Sequence, residues 1–159
     1  MKSYFSEDLI KQAIARKLKE CLAITSGSDV TYPVVFADKI MQGAIEPFFL
    51  ILVIDVSQDK GLQTKFWRNY QMKVQYYISE QVTTRITDLR KMGERLFGIL
   101  DAIDLEYKQE NNRIYTRPLR AYKLNYQITE NVLNFFCTYK VKVQQDVEPN
   151  TKMRILDIN

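Results

Sequence analysis

Two neighbouring stretches constrain the fold more than any others: PFFLILVIDV at 47–56 and FWRNYQMKVQYYIS at 66–79, joined by SQDKGLQTK. In the second, Phe66, Tyr70, Met72, Val74, Tyr76 and Ile78 fall on one parity, and Asn69, Gln71, Lys73, Gln75 and Ser79 on the other. Such alternation marks a strand with one face on a core and one on water. The first stretch barely alternates, which predicts a strand covered on both faces in the middle of a sheet. Together they predict a long antiparallel hairpin around which the rest of the chain is arranged.

The flanking segments change period. Residues 6–24 predict an amphipathic helix capped by Ser6, with Glu7 and Asp8 at the positive end of its dipole. Leu9, Ile10, Ala13, Ile14, Leu18, Cys21 and Leu22 form its apolar stripe, and Lys11, Arg16, Lys17 and Lys19 lie off it. TSGSD at 25–29 reads as the turn that ends it. Tyr32 to Ala37 is a short strand, placed by Pro33 at an edge or near a strand end, and 38–46 is a loop around Gly43. A second helix, capped by Thr83 or Thr84, runs to about Ile103 with Ile86, Leu89, Gly93, Leu96, Phe97, Leu100 and Ile103 as its stripe. Gly93 and Gly98 weaken it by roughly 1 kcal/mol each relative to Ala, so Gly93, on the stripe, reads as room for a close approach to the sheet.

The last third is rich in strands. Leu105–Lys108 and Arg113–Thr116 flank a turn at QENN, and Pro118 interrupts. Tyr122, Leu124, Tyr126 and Ile128 then alternate with polar residues. Leu133, Phe135, Cys137, Tyr139, Val141 and Val143 do the same after a break at 129–131, which makes a second hairpin. The fold class expected is α+β, an antiparallel or mixed sheet with two amphipathic helices packed against it. The expected organisation is one domain over 1–144 and a polar C-terminal tail over 145–159, in which Met153, Ile155 and Ile158 form a short strand or an anchor on a neighbour.

Composition narrows the function by exclusion. There is no histidine, and Cys21 and Cys137 stand far apart, so His-based acid–base chemistry, triads and zinc clusters are unavailable. The five glycines form neither a dinucleotide fingerprint nor a phosphate loop. Asp101 with Asp104, and Asp55 with Asp59, read as solvated surface charge. No catalytic residue, cofactor site or metal site is expected. Both cysteines are expected reduced and in the core. The net charge of +4 is scattered, unlike a nucleic-acid footprint, although KFWRNYQMKVQYY interleaves bases with aromatics. The longest apolar run is half a membrane span, and MKSYFSEDLIKQ lacks the apolar core of a signal peptide, so no membrane partner is expected. Trp67 and Tyr77, on the nominally polar parity, suggest surface buried against other copies of the chain.

Four stretches carry a family resemblance: LIKQAIARKLKE, EPFFLILVIDVSQDKGLQTKFWRNYQMKVQYY, DLRKMGERLFGILDAI and NVLNFFCTYKVKV. In order and strand chemistry, residues 5–143 resemble the tail terminator proteins of long-tailed bacteriophages, in the form found in phages and prophages of Gram-positive bacteria. The resemblance implies a structural subunit, not an enzyme. It implies a ring, usually hexameric, at the head-proximal end of the tail of the virion, assembled in the host cytoplasm. Such a ring stops tail-tube polymerisation and offers a surface to the head connector, with DNA only passing through its lumen. Partners implied are therefore the chain itself, the tail tube protein and the head connector protein. Alternatives are a head–tail joining or minor capsid protein, and, in another class, a nucleic-acid-binding α+β module. Candidate contacts with neighbouring subunits or the tube are the loop at 57–65, with Ser57, Gln58, Lys60 and Lys65, together with Trp67, Tyr77, Met153 and Ile155.

Overall fold

Strand pairing through the middle of the chain sets the architecture. In a computed structural model, which describes residues 7–60, 65–79, 84–108, 111–145 and 153–158, the elements run in this order. Helix α1 (Glu7–Cys21) is followed by β1 (Ile24–Ser26), β2 (Asp29–Thr31), β3 (Val34–Ala37), β4 (Phe48–Lys60) and β5 (Lys65–Tyr77). Then come α2 (Arg85–Ile99), β6 (Ala102–Lys108), β7 (Ile114–Thr129), β8 (Val132–Gln145) and β9 (Met153–Ile158). The main sheet has the order β3-β4-β5-β8-β7-β6, and β9 also pairs with β8. Only β3 with β4 is parallel, so the sheet is mixed and the fold is α+β.

The two alternating sequences lie side by side. β5 pairs with β8 from Lys65↔Gln144 to Tyr76↔Leu133, which brings both apolar parities to one face. On that face Met72, Val74, Leu133, Phe135, Cys137, Tyr139, Val141 and Val143 are fully buried. Ile10, Ile14 and Leu18 of α1, and Leu89, Leu96 and Leu100 in or just after α2, belong to the same core cluster. Leu9 and Val53, expected in this core, are half-buried against it. The Tyr139 hydroxyl donates to the Leu100 carbonyl at 2.7 Å, which satisfies a buried polar group and ties β8 to the end of α2. The turn between β7 and β8 is Glu130–Asn131, both with positive φ (53° and 61°), as a two-residue hairpin of the primed type requires.

Several expectations are corrected. The segment 57–65 is not a loop at its ends: β4 runs on to Lys60 and β5 starts at Lys65, with Gln58↔Arg68 and Lys60↔Phe66 still paired. Polar residues continue a strand here because their partner strand is already in register. β4 is interior only at its start, since β3 covers Phe48–Ile51 and no further. Residues 25–29 do more than end a helix: Ile24–Ser26 and Asp29–Thr31 pair across Gly27, whose φ of 63° favours glycine. α2 ends at Ile99, and Ile103 is buried in β6 instead. Ile86 is 51% exposed, and Ile99, off the expected stripe, is buried in its stead. Pro118 does not interrupt β7 but pairs opposite Asp104. It sits where β7 has β6 alone beside it, and an edge tolerates the missing N–H. Ser6 and Thr83 lie outside the described residues, and Thr84 occupies the N-cap position of α2 without a side-chain cap bond.

Three side chains moved between surface and core. Cys21 is exposed while Leu22 takes the buried place after Leu18, so only Cys137 is a core thiol, pushed up to about 12 by burial. Tyr122 falls in a bulge between Ala121 and Lys123 and is 71% exposed. The bulge also switches which parity of β7 faces inward. Lys11 is buried, with its ammonium 2.7 Å from Asp38, 3.4 Å from Glu7 and 3.7 Å from Asp8. Burial works against its charge, but the hydrogen bonds and fields of Asp38 and Glu7 outweigh it and raise its pKa. The stability this pairing lends is present below the ordinary lysine range and is lost as pH rises through the raised value.

Gly93 lies where α2 crosses β7. A Cβ at this position would stand 2.9 Å from Cζ of Tyr126. That ring is held by a hydrogen bond from its hydroxyl to Glu94 (3.1 Å) and by Phe97, at 5.7 Å between centroids. Glycine here trades helix propensity for a close crossing. Gly93→Ala gains about 1 kcal/mol of propensity and meets an overpacking penalty of roughly 1–3 kcal/mol. The expected outcome in chemical denaturation is a net loss, and Tyr126→Ala in the same chain should convert Gly93→Ala into a stabilising change. Leu96→Ala, at a fully buried position, should lower stability by about 2–5 kcal/mol, measured the same way.

Candidate assembly interface

The described residues present extended surfaces. Among them no group of three or more His, Cys, Asp or Glu side chains converges to hold a metal. No helix among them is long and apolar enough to cross a membrane. Three surfaces stand out instead.

The first is the end of the sheet where β4, β5, β8 and β9 lie side by side, each antiparallel to the next. Lys60 closes β4, Lys65 opens β5 opposite Gln144, and Met153 opens β9 opposite Gln145. Ser57, Gln58, Lys60, Lys65, Trp67, Met153 and Ile155 are thus gathered at one end. Short polar bridges stiffen the ribbon: Arg68 donates to Gln58 at 3.1 Å through Nε, and Asn69 donates to Ser57 Oγ at 3.3 Å and Asp59 at 3.1 Å. The backbone bulges at Ile54 between Val53 and Asp55. Ile54 and Val56, on this part of β4, are 44% and 42% exposed. Tyr77 is not part of the group. It lies ten residues along β5 from Trp67, about 33 Å for a strand. There it stacks on Phe48 at 4.9 Å and donates to Gln75 at 3.0 Å, while burial raises its pKa.

The second surface is the sheet face opposite the core. Register places Lys65, Trp67, Asn69, Gln71, Lys73 and Gln75 of β5 there, with Lys140 and Lys142 of β8 and Lys123 of β7. Asp55 and Asp59 of β4 are its acids. Lys140 lies 5.6 Å from the centre of the Trp67 ring and 5.2 Å from that of Tyr122, and Lys142 lies 5.7 Å from Trp67. These cation–π contacts hold the ammoniums over the rings rather than in free solvent. The alternation that identified the core also predicted this polar face, but the pairing of Trp67 with lysines from β8 needed the register.

The third was missed from the sequence. Ile24, Val30, Tyr32, Val34, Met41 and Ile45, all within the segment from β1 to the loop before β4, are exposed, Ile45 by 83%. Beside them an open, apolar pocket of about 470 Å³ is lined by Leu22, Tyr32, Pro33, Phe49, Met92 and Arg95, among others. The available signal was a run of isolated apolar residues between turn formers, with too few residues per strand to bury them.

Comparison with known proteins adds a family. A family model described as phage tail terminator protein matches residues 9–151. No curated protein matches. A solved structure aligns over 96% of this chain and 99% of its own, at 12% identity and a TM-score of 0.38, a likeness too low to carry an argument.

The geometry around Trp67 has a direct optical readout, because it is the single tryptophan. Two lysines beside a half-buried ring attract anions, so iodide should quench its fluorescence more efficiently than caesium, and added salt should narrow the difference. Lys140→Glu together with Lys142→Glu should reverse the preference.

Proposed function

The chain belongs to the phage tail terminator family, and from this we propose that it is the ring subunit that caps a tail tube, stops its growth and joins it to the head connector. The family is structural rather than enzymatic, and membership makes the protein a virion component. The observation that carries the proposal is the family match, which spans residues 9–151. The expected assembly is a hexamer of this chain at the head-proximal end of the tail. In each copy the two amphipathic helices pack on one face of the sheet. The other face, with Lys65, Lys73, Lys123, Lys140 and Lys142 against Asp55 and Asp59, suits a lumen through which DNA passes without sequence readout. The ribbon end around Ser57, Gln58, Lys65 and Trp67 is the proposed contact with the tube or a neighbouring copy, and the tail tube protein and head connector protein are its axial partners. Free protein can still be monomeric, since ring contacts that are weak in solution are strengthened once the tube presents several sites at once.

Removing the protein during phage assembly tests this. Filled heads without tails, beside tubes of uncontrolled length in electron micrographs, are the expected result. Tails of normal length attached to heads would overturn the assignment. Normal tube length with heads that lose DNA would favour a head-completion role.

A further inference from the structure

Beyond Ile51 the sheet narrows to four strands in the order β4-β5-β8-β9. β7 leaves β8 at Tyr139, and β9 takes its place from Val141 onward. Both outer strands of this part lack a second neighbour among the described residues: β3 stops at Ile51 on one side, and β9 hydrogen-bonds to β8 alone on the other. Each therefore presents a row of backbone N–H and C=O groups, the arrangement that templates pairing with another strand. The two free runs match in length. Past the Ile54 bulge, β4 offers Asp55–Lys60, and β9 is Met153–Ile158, six residues.

Strand polarity makes the two edges complementary. Each step from β4 to β5, β8 and β9 is antiparallel, so β9 runs opposite to β4. Copies related by rotation about one axis all point the same way along it. Where the strands run along the axis, the β9 of one copy would meet the β4 of the next in the antiparallel sense.

Register agrees as well. Within one copy Arg154 and Asp157 are in register with Gln144 and Lys142, and Ile155 and Ile158 with Val143 and Val141; Leu156 is skipped by a bulge. On β4, Ser57 and Asp59 lie on the outer face opposite Asn69 and Trp67, and Val56 lies on the core side opposite Tyr70. Setting Asp59 opposite Arg154 and keeping the same bulge places Ser57 opposite Asp157 and Val56 opposite Ile158. That register sets the oppositely charged Asp59 and Arg154 across from one another and an apolar residue across from the exposed Val56, and it sets Gln58 across from Ile155 and Lys60 across from Met153. We propose that β9 of each copy pairs antiparallel with Asp55–Lys60 of the next, so that one sheet continues from subunit to subunit. This rests on the ring reading above and adds the edge through which the ring closes; the contact is heterologous, and it closes where the rotation between copies divides the circle.

Disulfide trapping tests it in the full chain, in a Cys21→Ser background so that no exposed native thiol competes. Ser57→Cys combined with Asp157→Cys, and separately Asp59→Cys combined with Arg154→Cys, should give on oxidation a ladder of cross-linked species ending at the ring number, both in concentrated protein and on tails recovered from cells. A mixture of the two single-cysteine variants of either pair should stop at dimers. Ser57→Cys combined with Asp29→Cys on β2 should give no ladder. Dimers from Ser57→Cys alone would mean that β4 pairs with β4 in a two-fold contact, and would overturn the proposal. Rings visible by electron microscopy but uncrosslinked by either pair would overturn it while leaving the terminator reading intact. Absence of any ring, together with normal tails when the protein is removed, would overturn both.

Discussion

The antiparallel pairing of β5 with β8 is the contact on which the rest depends. It holds two strands of strictly alternating character in one register, from Lys65↔Gln144 to Tyr76↔Leu133. Because side-chain direction reverses at each residue, a slip of β5 by one position would turn Met72 and Val74 away from the face that Phe135 and Tyr139 occupy. Most of the molecule is built on this pair: β4 and β7 lie on its flanks, the helix stripes share its apolar cluster, and β9 runs along the free part of β8, while β3 and β6 extend the sheet through β4 and β7. Tyr139 adds a specific anchor, since its buried hydroxyl finds the Leu100 carbonyl at the end of α2.

Local irregularities then decide where surface is left over. Bulges at Ile54 and Tyr122 each insert one residue and switch the inward parity of their strand. The first leaves a straight outer run on β4, and the second puts an aromatic ring on the lysine-bearing face. β3 is only four residues long, and its shortness leaves most of β4 an edge. A monomer made to stand alone would blunt so long an edge, as natural sheets do. In the proposed ring, this edge is where the next subunit would pair.

The lysines of the outer face illustrate how a modest net charge becomes directional. A total of +4 spread along the sequence carries no message. Folding sorts five lysines and two aspartates onto one side of the sheet and sends the apolar parity to the other. The cation–π contacts of Lys140 and Lys142 restrain that charge near Trp67 and Tyr122. The charge therefore has a position, which is what a lumen or a docking face requires.

The long strands, both helices and most of the core were legible in the residues alone, because period and parity are local properties. Leu133 to Val143 alternate whatever their partners, and Leu89, Gly93 and Leu96 share a helix face whatever they pack on. Even the close crossing at Gly93 could be expected from a glycine on a buried stripe. Of the candidate residues, Ser57, Gln58, Lys60, Lys65, Trp67, Met153 and Ile155 fall at one end of the sheet and Tyr77 at the other end of β5. What the chain could not reveal locally was decided by partners distant in sequence. Whether Ser57–Lys60 is loop or strand depends on β5 being in register, and whether Lys11 is exposed depends on Asp38 arriving beside it. The burial of Leu22 rather than Cys21, and the docking of 153–158 on β8, likewise turn on neighbours that only the folded chain supplies. Sequence determined which residues seek a core and with what period; tertiary structure decided which edges and apolar patches remained uncovered, because coverage is a property of pairs of segments rather than of any one.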